Sequence, residues 1–359
     1  MSEIDRLIDQ GREGKISRRD FIKKAAFLTG TSSAMVSAAL AACSPQNALP
    51  TSANAPVALP QQQKKYRMAT SELGMKCSWC ARGADTVKFY GNILGVEVVV
   101  FDGELSIDKQ RKDIEDMAGQ DWSWVQIHPQ AIDAFVDPIK KLVAKNIPVI
   151  DMDTRFVQDL SKLGIVTFLE PDNFFMGSAV TQTLLKALNF KGNVVHTQGP
   201  LGHTGAQGRA AGFHSVVDQY KDVKILDETP CNWDIDLTRK TWEDLLVKFP
   251  QIDGAMFHND DMALAAYEAI KAAGREKQIK LVGVDGMEPA LKAVMDGKLL
   301  ATVVNPTGRV HGGAFWVGYN LVTGKTPREK IPAFIRTDGP FIDPTIAPGI
   351  LYLAENLLI

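Results

Sequence analysis

The chain has 359 residues, of which 45% are hydrophobic and 23% charged, with a formal net charge of −2. This excludes disordered and fibrous classes and supplies a large core for two or so domains. The near-neutral balance, with no long basic block beyond the first few dozen positions, argues against nucleic acid as a partner.

In chain order, residues 1–42 read as a targeting segment. Ser17-Arg18-Arg19-Asp20-Phe21-Ile22-Lys23 matches a twin-arginine export signature. A weakly apolar stretch rich in small residues follows and ends in Leu40-Ala41-Ala42-Cys43, which resembles a lipobox. The stretch is too polar to span a membrane, so attachment is expected only through lipid on Cys43. Removing residues 1–42 takes away seven Lys/Arg and five Asp/Glu and leaves a net charge of −4. Residues 43–65 contain Pro45, Pro50, Pro56 and Pro60 and read as a flexible tether from the lipidated cysteine.

From Tyr66 onward, short apolar runs of β type alternate with amphipathic stretches, the pattern of parallel βα units. Strand candidates are 67–71, 96–102, 124–128, 148–153 and 165–169, then 193–198, 224–228, 255–258, 280–284 and 301–304. Ten parallel strands are many for one open sheet, so two sheets of about five are expected. The segment 260–273 illustrates the helical intervals. Met262, Ala263, Ala266, Ile270 and Ala273 share one face, and Gly274 stands where a C-terminal cap belongs.

Ligands of open α/β sheets bind beyond the carboxyl ends of the strands. Trp79, His128, Asp153, Arg155, Asn259, Asp285 and Asn305 stand there, and Gln207, Arg209 and Trp233 lie in the intervals that follow other strands. Carboxylates and amides accept from hydroxyls, Arg and amides donate to them, and tryptophans cover the C–H faces of a sugar ring. Taken singly, each residue also has an ordinary role: a strand-end Asp or Asn caps the next helix, and a Trp packs in a core. Their recurrence at one edge is what points to a polyhydroxylated ligand. No Gly-x-Ser-x-Gly elbow and no His-Glu-x-x-His pair is present, and the glycine-rich run 199–205 lacks the Gly-Lys-Ser/Thr ending of a phosphate loop.

Asn259-Asp260-Asp261-Met262-Ala263-Leu264-Ala265, Val282-Gly283-Val284-Asp285-Gly286 and Asp296-Gly297-Lys298-Leu299-Leu300-Ala301-Thr302-Val303 occur in that order. With Ile147-Pro148-Val149-Ile150-Asp151-Met152-Asp153 and Gly208-Arg209-Ala210-Ala211-Gly212-Phe213, they resemble the sugar-binding class of type I periplasmic binding proteins, of the ribose-binding kind, over roughly residues 66–340. The resemblance implies an α/β fold of two Rossmann-like lobes with parallel sheets, joined by a three-segment hinge near 169–171, 305–306 and 337–340. The first lobe is expected to hold 66–170 and 306–337, and the second 171–305 and 338–359.

The resemblance also implies function: a non-enzymatic substrate-binding lipoprotein of an ABC importer, in the periplasm or cell envelope. It would bind a monosaccharide or polyol and deliver it to an inner-membrane permease, with no cofactor and no resident metal. Coupling to a chemoreceptor stays open. Residue by residue, Asp153, Asn259, Asp285 and Asn305 fall on family ligand contacts, and Trp79 and Trp233 on its aromatic positions. His128 replaces a common Asn. Arg155 is displaced by one from the family's Arg; Gln207 aligns with an expected Arg, and Arg209 with a neighbouring one.

The Cys77-Ser78-Trp79-Cys80 pair can be a disulfide, a redox centre or part of a metal site. Cys231 makes the mature count odd. The alternative readings are a metal- or redox-active exported protein using Cys77 and Cys80 with His128 and Cys231, or a binding protein for a nucleoside or signal molecule. A sugar repressor sharing these lobes is set aside because the sequence opens on an export signal.

Overall fold

The computed structural model describes residues 66–356, and side chains to Ile350 and Leu351; the expected export signal, Cys43 and tether lie outside the described residues. The elements in chain order begin with β1 (Tyr66–Glu72), α1 (Ser78–Leu94), β2 (Val96–Asp102), α2 (Ile107–Ala118), β3 (Trp124–Ile127), α3 (Val136–Ala144), β4 (Val149–Met152) and β5 (Thr167–Glu170). They continue with α4 (Asn173–Ala187), β6 (Gly192–Thr197), α5 (Thr204–Val217), β7 (Val223–Asp227), α6 (Ile235–Lys248), β8 (Gly254–Phe257), α7 (Asp260–Ala272), β9 (Lys280–Val282), α8 (Glu288–Met295) and β10 (Thr302–Val303). Last come α9 (Thr307–Val322), β11 (Phe334–Arg336), β12 (Phe341–Ile342) and α10 (Ala347–Asn356).

Two parallel sheets result. The first has the order β11-β5-β4-β3-β1-β2, and the second β7-β6-β8-β9. β10 continues the second sheet through isolated parallel bridges, Val282 to Ala301 and Asp285 to Val304, and pairs antiparallel with β12. The expected α/β architecture of two parallel-sheet lobes is therefore present. The strands β11 and β12 escape the apolar-run criterion because they are only three and two residues long.

The interior strands β1 and β8 are buried on each face, as the continuous apolar runs require: Met68 and Ala69 in β1 and Ala255 and Met256 in β8 are wholly inaccessible. Trp124 and Phe315 meet edge to face at 5.4 Å, tying α9 onto the first sheet. Trp242 and Phe257, 5.3 Å apart, do the same for α6 on the second. Helix ends follow local chemistry. Ser106, Asp172, Asp234 and Asn259 accept from backbone N–H groups as N-caps of α2, α4, α6 and α7, and Gly95 closes α1 in the left-handed conformation.

The chain passes from the first sheet to the second after β5, returns after β10 and crosses again after β11. These crossings are laced together: the Thr337 N–H donates to the Glu170 carbonyl at 3.1 Å, the Asp172 N–H to Asp338 Oδ1 at 2.8 Å, and the Val304 N–H to the Pro340 carbonyl at 2.9 Å. In each sheet the order reverses at one strand, β1 in the first and β6 in the second. A crevice opens at such a point beyond the strand ends.

Candidate functional site

The carboxyl ends of the two sheets face each other across a small cavity. Its empty volume is about 260 Å³, and it is lined by Leu73, Cys77, Trp79, Cys80, His128, Asp153, His203, Arg209, Trp233, Asn259, Asp285 and Asn305. Eight of the ten residues singled out from the sequence thus meet in one place. The other two, Arg155 and Gln207, do not. Arg155 pairs with Glu170 at 3.2 Å, Gln207 donates to the Leu201 carbonyl at 2.9 Å, and both line a separate, more open hollow with Asn173 and Arg336.

Polar contacts across the cleft hold it closed, at its rim and at its floor. The Ser78 N–H and Oγ–H donate to Asp261 Oδ2 and Oδ1 at 2.9 and 2.8 Å. The Ile132 N–H donates to the Gly202 carbonyl at 2.9 Å, and the Arg155 N–H to Thr204 Oγ1 at 3.1 Å. The Ser78 contact completes α1, because its N-cap, Cys77, makes no side-chain cap bond; a carboxylate from the far lobe takes that place.

His128, Asp153, Glu72 and His203 form the polar floor. His203 Nδ1 accepts from the Ala206 N–H as the N-cap of α5, so the proton of the neutral ring sits on Nε2. That Nε2–H and His128 Nε2 both face Asp153 Oδ2 at 3.5 Å, and the two ring nitrogens lie 3.1 Å apart. Burial lowers the affinity of His128 for a proton, but Asp153 and Glu72 on either side overcome it and raise its pKa to about 9. Burial also works against ionisation of Glu72, where His311 at 3.0 Å and His128 prevail and hold the carboxyl at about 2. Asp153 is likewise held well below its ordinary range, chiefly by His128 against burial. His203 goes the other way: burial drives it to about 3, against the pull of Asp153.

The opposite wall carries Arg209, whose Nε donates to Asn173 Oδ1 at 3.0 Å and whose Nη1 donates to the His258 carbonyl. Its Nη2 lies 3.4 Å from Asp285 Oδ1. Close packing fixes its place, since any Cβ at Gly177 in α4 would fall on the Arg209 backbone. Burial pushes Asp285 up to about 8 despite that guanidinium, with Asp261 and Asp153 adding to the rise. The tryptophans are held from behind. Trp79 Nε1–H donates to the Asn305 carbonyl at 2.8 Å, and the Trp233 ring lies against Gly199, where no Cβ has room.

Two buried oxygens in this cavity, Asp153 Oδ1 and Asn305 Oδ1, have no protein partner. Such atoms are costly unless something else donates to them. Asn259 commits its Oδ1 to the Met262 N–H at 2.9 Å and leaves its amide N–H₂ for the cavity. Three lining residues, Asp153, Trp233 and Asp285, have positive φ of 58°, 62° and 120°, strain of a kind that concentrates at functional sites.

His203 and Glu72 are functional-looking residues that the sequence reading passed over. His203 lies inside the glycine-rich turn 199–205 and was hidden there as part of a turn; Glu72 is one residue beyond the first strand candidate. The cysteines part company: Cys77 and Cys80 line the cavity, while Cys231 is buried in the second lobe with its Sγ 4.0 Å from the Thr229 carbonyl. The four-residue metal set Cys77, Cys80, His128 and Cys231 is therefore not assembled.

Among the described residues, the groups close enough to share an ion are Glu72, His128 and His311; His128, Asp153 and His203; and His196, His214 and Glu228. Hydrogen bonds occupy the nitrogens in the last two. His203 Nε2 carries its proton, as above. The Gly199 N–H donates to His258 Nδ1 at 3.0 Å, so His258 Nε2 holds its proton and gives it to His196 Nε2 at 2.8 Å, leaving His196 Nδ1–H to donate to Glu228 at 2.9 Å.

Two parallel-sheet lobes, three crossings and a buried cavity at the facing strand ends define a two-lobed, cleft-binding protein. Residues 77–326 match the model of the periplasmic binding protein domain, and the chain belongs to the type I periplasmic binding proteins, in the ribose-binding-protein-like group. It is 28% identical to a xylitol-binding protein of Mycolicibacterium smegmatis over 271 residues, 75% of this chain and 74% of that one. It is 27% identical to a ribose import binding protein of Haemophilus influenzae over 243 residues, 68% and 81% of the two chains. Among solved structures, the binding component of the arabinose ABC transporter from Shewanella, bound to L-arabinofuranose, aligns with a TM-score of 0.73 and 25% identity over 80% of this chain and 94% of that one. Each of these relatives is named as a binding protein or binding component, the second for ribose import and the third for an arabinose ABC transporter.

Proposed function

We propose that the protein is the substrate-binding component of an ABC importer and that it closes its two lobes around a monosaccharide or polyol of about five or six carbons. The observation that carries this reading is the pair of buried, unpartnered acceptors, Asp153 Oδ1 and Asn305 Oδ1, in a cavity that also offers donors from Arg209 and Asn259. Hydroxyls donate to the first two and accept from the second two. The carboxyl groups of the site already face cationic partners of the protein, Glu72 and Asp153 the His128 ring and Asp285 the Arg209 guanidinium, so a neutral ligand is favoured. The named ligands of the relatives, xylitol, ribose and arabinofuranose, are of this kind.

Contacts from both lobes coexist only in the closed state, so binding shifts the population toward it, and the permease reads that shape. Trp79 and Trp233 cover the apolar faces of the ligand. The sequence of residues 17–43 supports export by the twin-arginine route and a lipid on Cys43, with residues 43–65 as tether.

A thermal-shift screen of the exported chain against pentitols, pentoses, hexoses, inositols and nucleosides tests the proposal. One sugar or polyol should raise the melting temperature by mass action; a screen in which only nucleosides do so overturns it. For the anchor, Cys43→Ser should abolish fatty-acid labelling and release the protein from the membrane fraction.

A further inference from the structure

Cys77 and Cys80 have no part in the contacts proposed above, yet they occupy the wall of the same cavity. Cys77 is the N-cap of α1. Cys80, one turn on, is wholly inaccessible; its thiol is in hydrogen-bond contact with Cys77 and lies 4.0 Å from His128 Nδ1. Positions three apart at a helix start are neighbours, and a Cys-x-x-Cys pair there can close a disulfide. Both thiols are free in the closed protein.

Thiol–disulfide exchange needs a thiolate and an approach path. The closed cleft withholds the path to both sulfurs, and from Cys80 the thiolate as well. Burial, the neighbouring Cys77 and the charges of Glu72 and Asp153 keep Cys80 protonated, far above the ordinary thiol range. The cover over this first turn of α1 is the second lobe, held there by Asp261 on the Ser78 N–H and Oγ–H. Those bonds link side chains and backbone only across the cleft, so opening breaks them and uncovers the turn.

We propose that Cys77 and Cys80 form a thiol–disulfide exchange site gated by the cleft, shielded when the lobes are closed and oxidised to an intramolecular disulfide when they open. The oxidant is another disulfide, of the kind that exported compartments supply. The Cys77 thiolate attacks one sulfur of that disulfide, forming a mixed disulfide and releasing one thiolate. The Cys80 thiolate then attacks Cys77 Sγ and releases the second. Two electrons pass to the oxidant, and the two protons lost by the cysteines end on its thiols.

The test uses no sugar, so it stands or falls apart from the proposed ligand. The full chain is incubated with oxidised glutathione, quenched with an alkylating agent and digested with trypsin, which cuts after Lys76 and Arg82 and releases both cysteines in one peptide. The disulfide is read as loss of two hydrogens from that peptide, and Cys231, wholly buried away from the cleft, reports global unfolding in the same digest. Asp261→Ala should speed disulfide formation at least about fivefold by removing two charge-assisted hydrogen bonds. Thr204→Val, which removes the separate bond to the Arg155 N–H, should also speed it, and neither should speed the modification of Cys231. Cys80→Ser should leave a glutathione adduct on Cys77. Absence of the 77–80 disulfide in wild type and variants, equal rates in all of them, or acceleration matched by Cys231 overturns the proposal.

Discussion

Asp153→Asn separates the proposed site from a merely structural carboxylate. In the wild type, Oδ2 faces two imidazole nitrogens, those of His128 and His203, and Oδ1 faces the cavity with no partner. An asparagine has one oxygen. It must turn that oxygen to the two imidazole N–H donors, which places its N–H₂ where the free acceptor had been. A ligand hydroxyl that donated to Oδ1 then meets a donor. A hydrogen bond to a charged group contributes about 1.5–3 kcal/mol, so affinity should fall roughly 10- to 150-fold, and Asp153→Ala should fall in the same range. His128 also loses one of the two carboxylates that hold it at about 9, so its pKa should drop. Isothermal titration with the compound that gives the largest thermal shift measures the first effect, and imidazole NMR titration the second. Affinity within about threefold of wild type, in a variant whose circular dichroism melt is cooperative, would refute the assignment of Oδ1 to the ligand.

Three further outcomes are expected. Gly199→Ala should weaken binding at least about tenfold, because the new methyl displaces the Trp233 ring; Trp233→Ala should do the same by calorimetry, at a cost of the order of a buried aromatic contact. Arg155→Ala and Gln207→Ala should change affinity less than about twofold, since neither lines the cavity. The unliganded protein should lose stability as pH rises from 6.5 to 9, measured as the urea midpoint. His128 is raised from 6.5 to about 9, so its contribution is complete below 6.5 and lost as pH climbs through 9; Asp285 is raised from 3.8 to about 8, so its contribution declines from 3.8 upward and is gone above 8. His128→Gln should flatten the part of that decline between 8 and 9.

Much of this arrangement is legible in the amino-acid order. Apolar runs such as Trp124–Ile127 and Val149–Met152 mark buried parallel strands, and polar residues just past the strands, His128, Asp153, Asn259 and Asp285, meet because parallel sheets bring all their carboxyl ends to one edge. Side-chain direction is not legible in the same way. Arg155 stands two residues after Asp153, but the left-handed turn at Asp153 sends the two side chains to different hollows. Nor is the capping of α1 by Asp261, whose partner Ser78 is 183 positions away. His203 was hidden for a third reason: its role depends on which nitrogen carries the proton, and the Ala206 N–H decides that.

Asn259 and His203 each hold a helix start with one atom and face the cavity with another. Change of ligand preference by substitution is therefore channelled. Replacing Asn259 by an apolar residue would fray α7 as well as the pocket, whereas Asn259→Asp keeps the oxygen on the Met262 N–H and exchanges a donor for an acceptor. Asn305 caps no helix; its buried side chain faces Asp285 and the cavity, so a substitution there acts on the pocket and not on a helix start. Among the lining residues, diversification toward new sugars has its widest latitude at such positions and its narrowest where one side chain serves both scaffold and cargo.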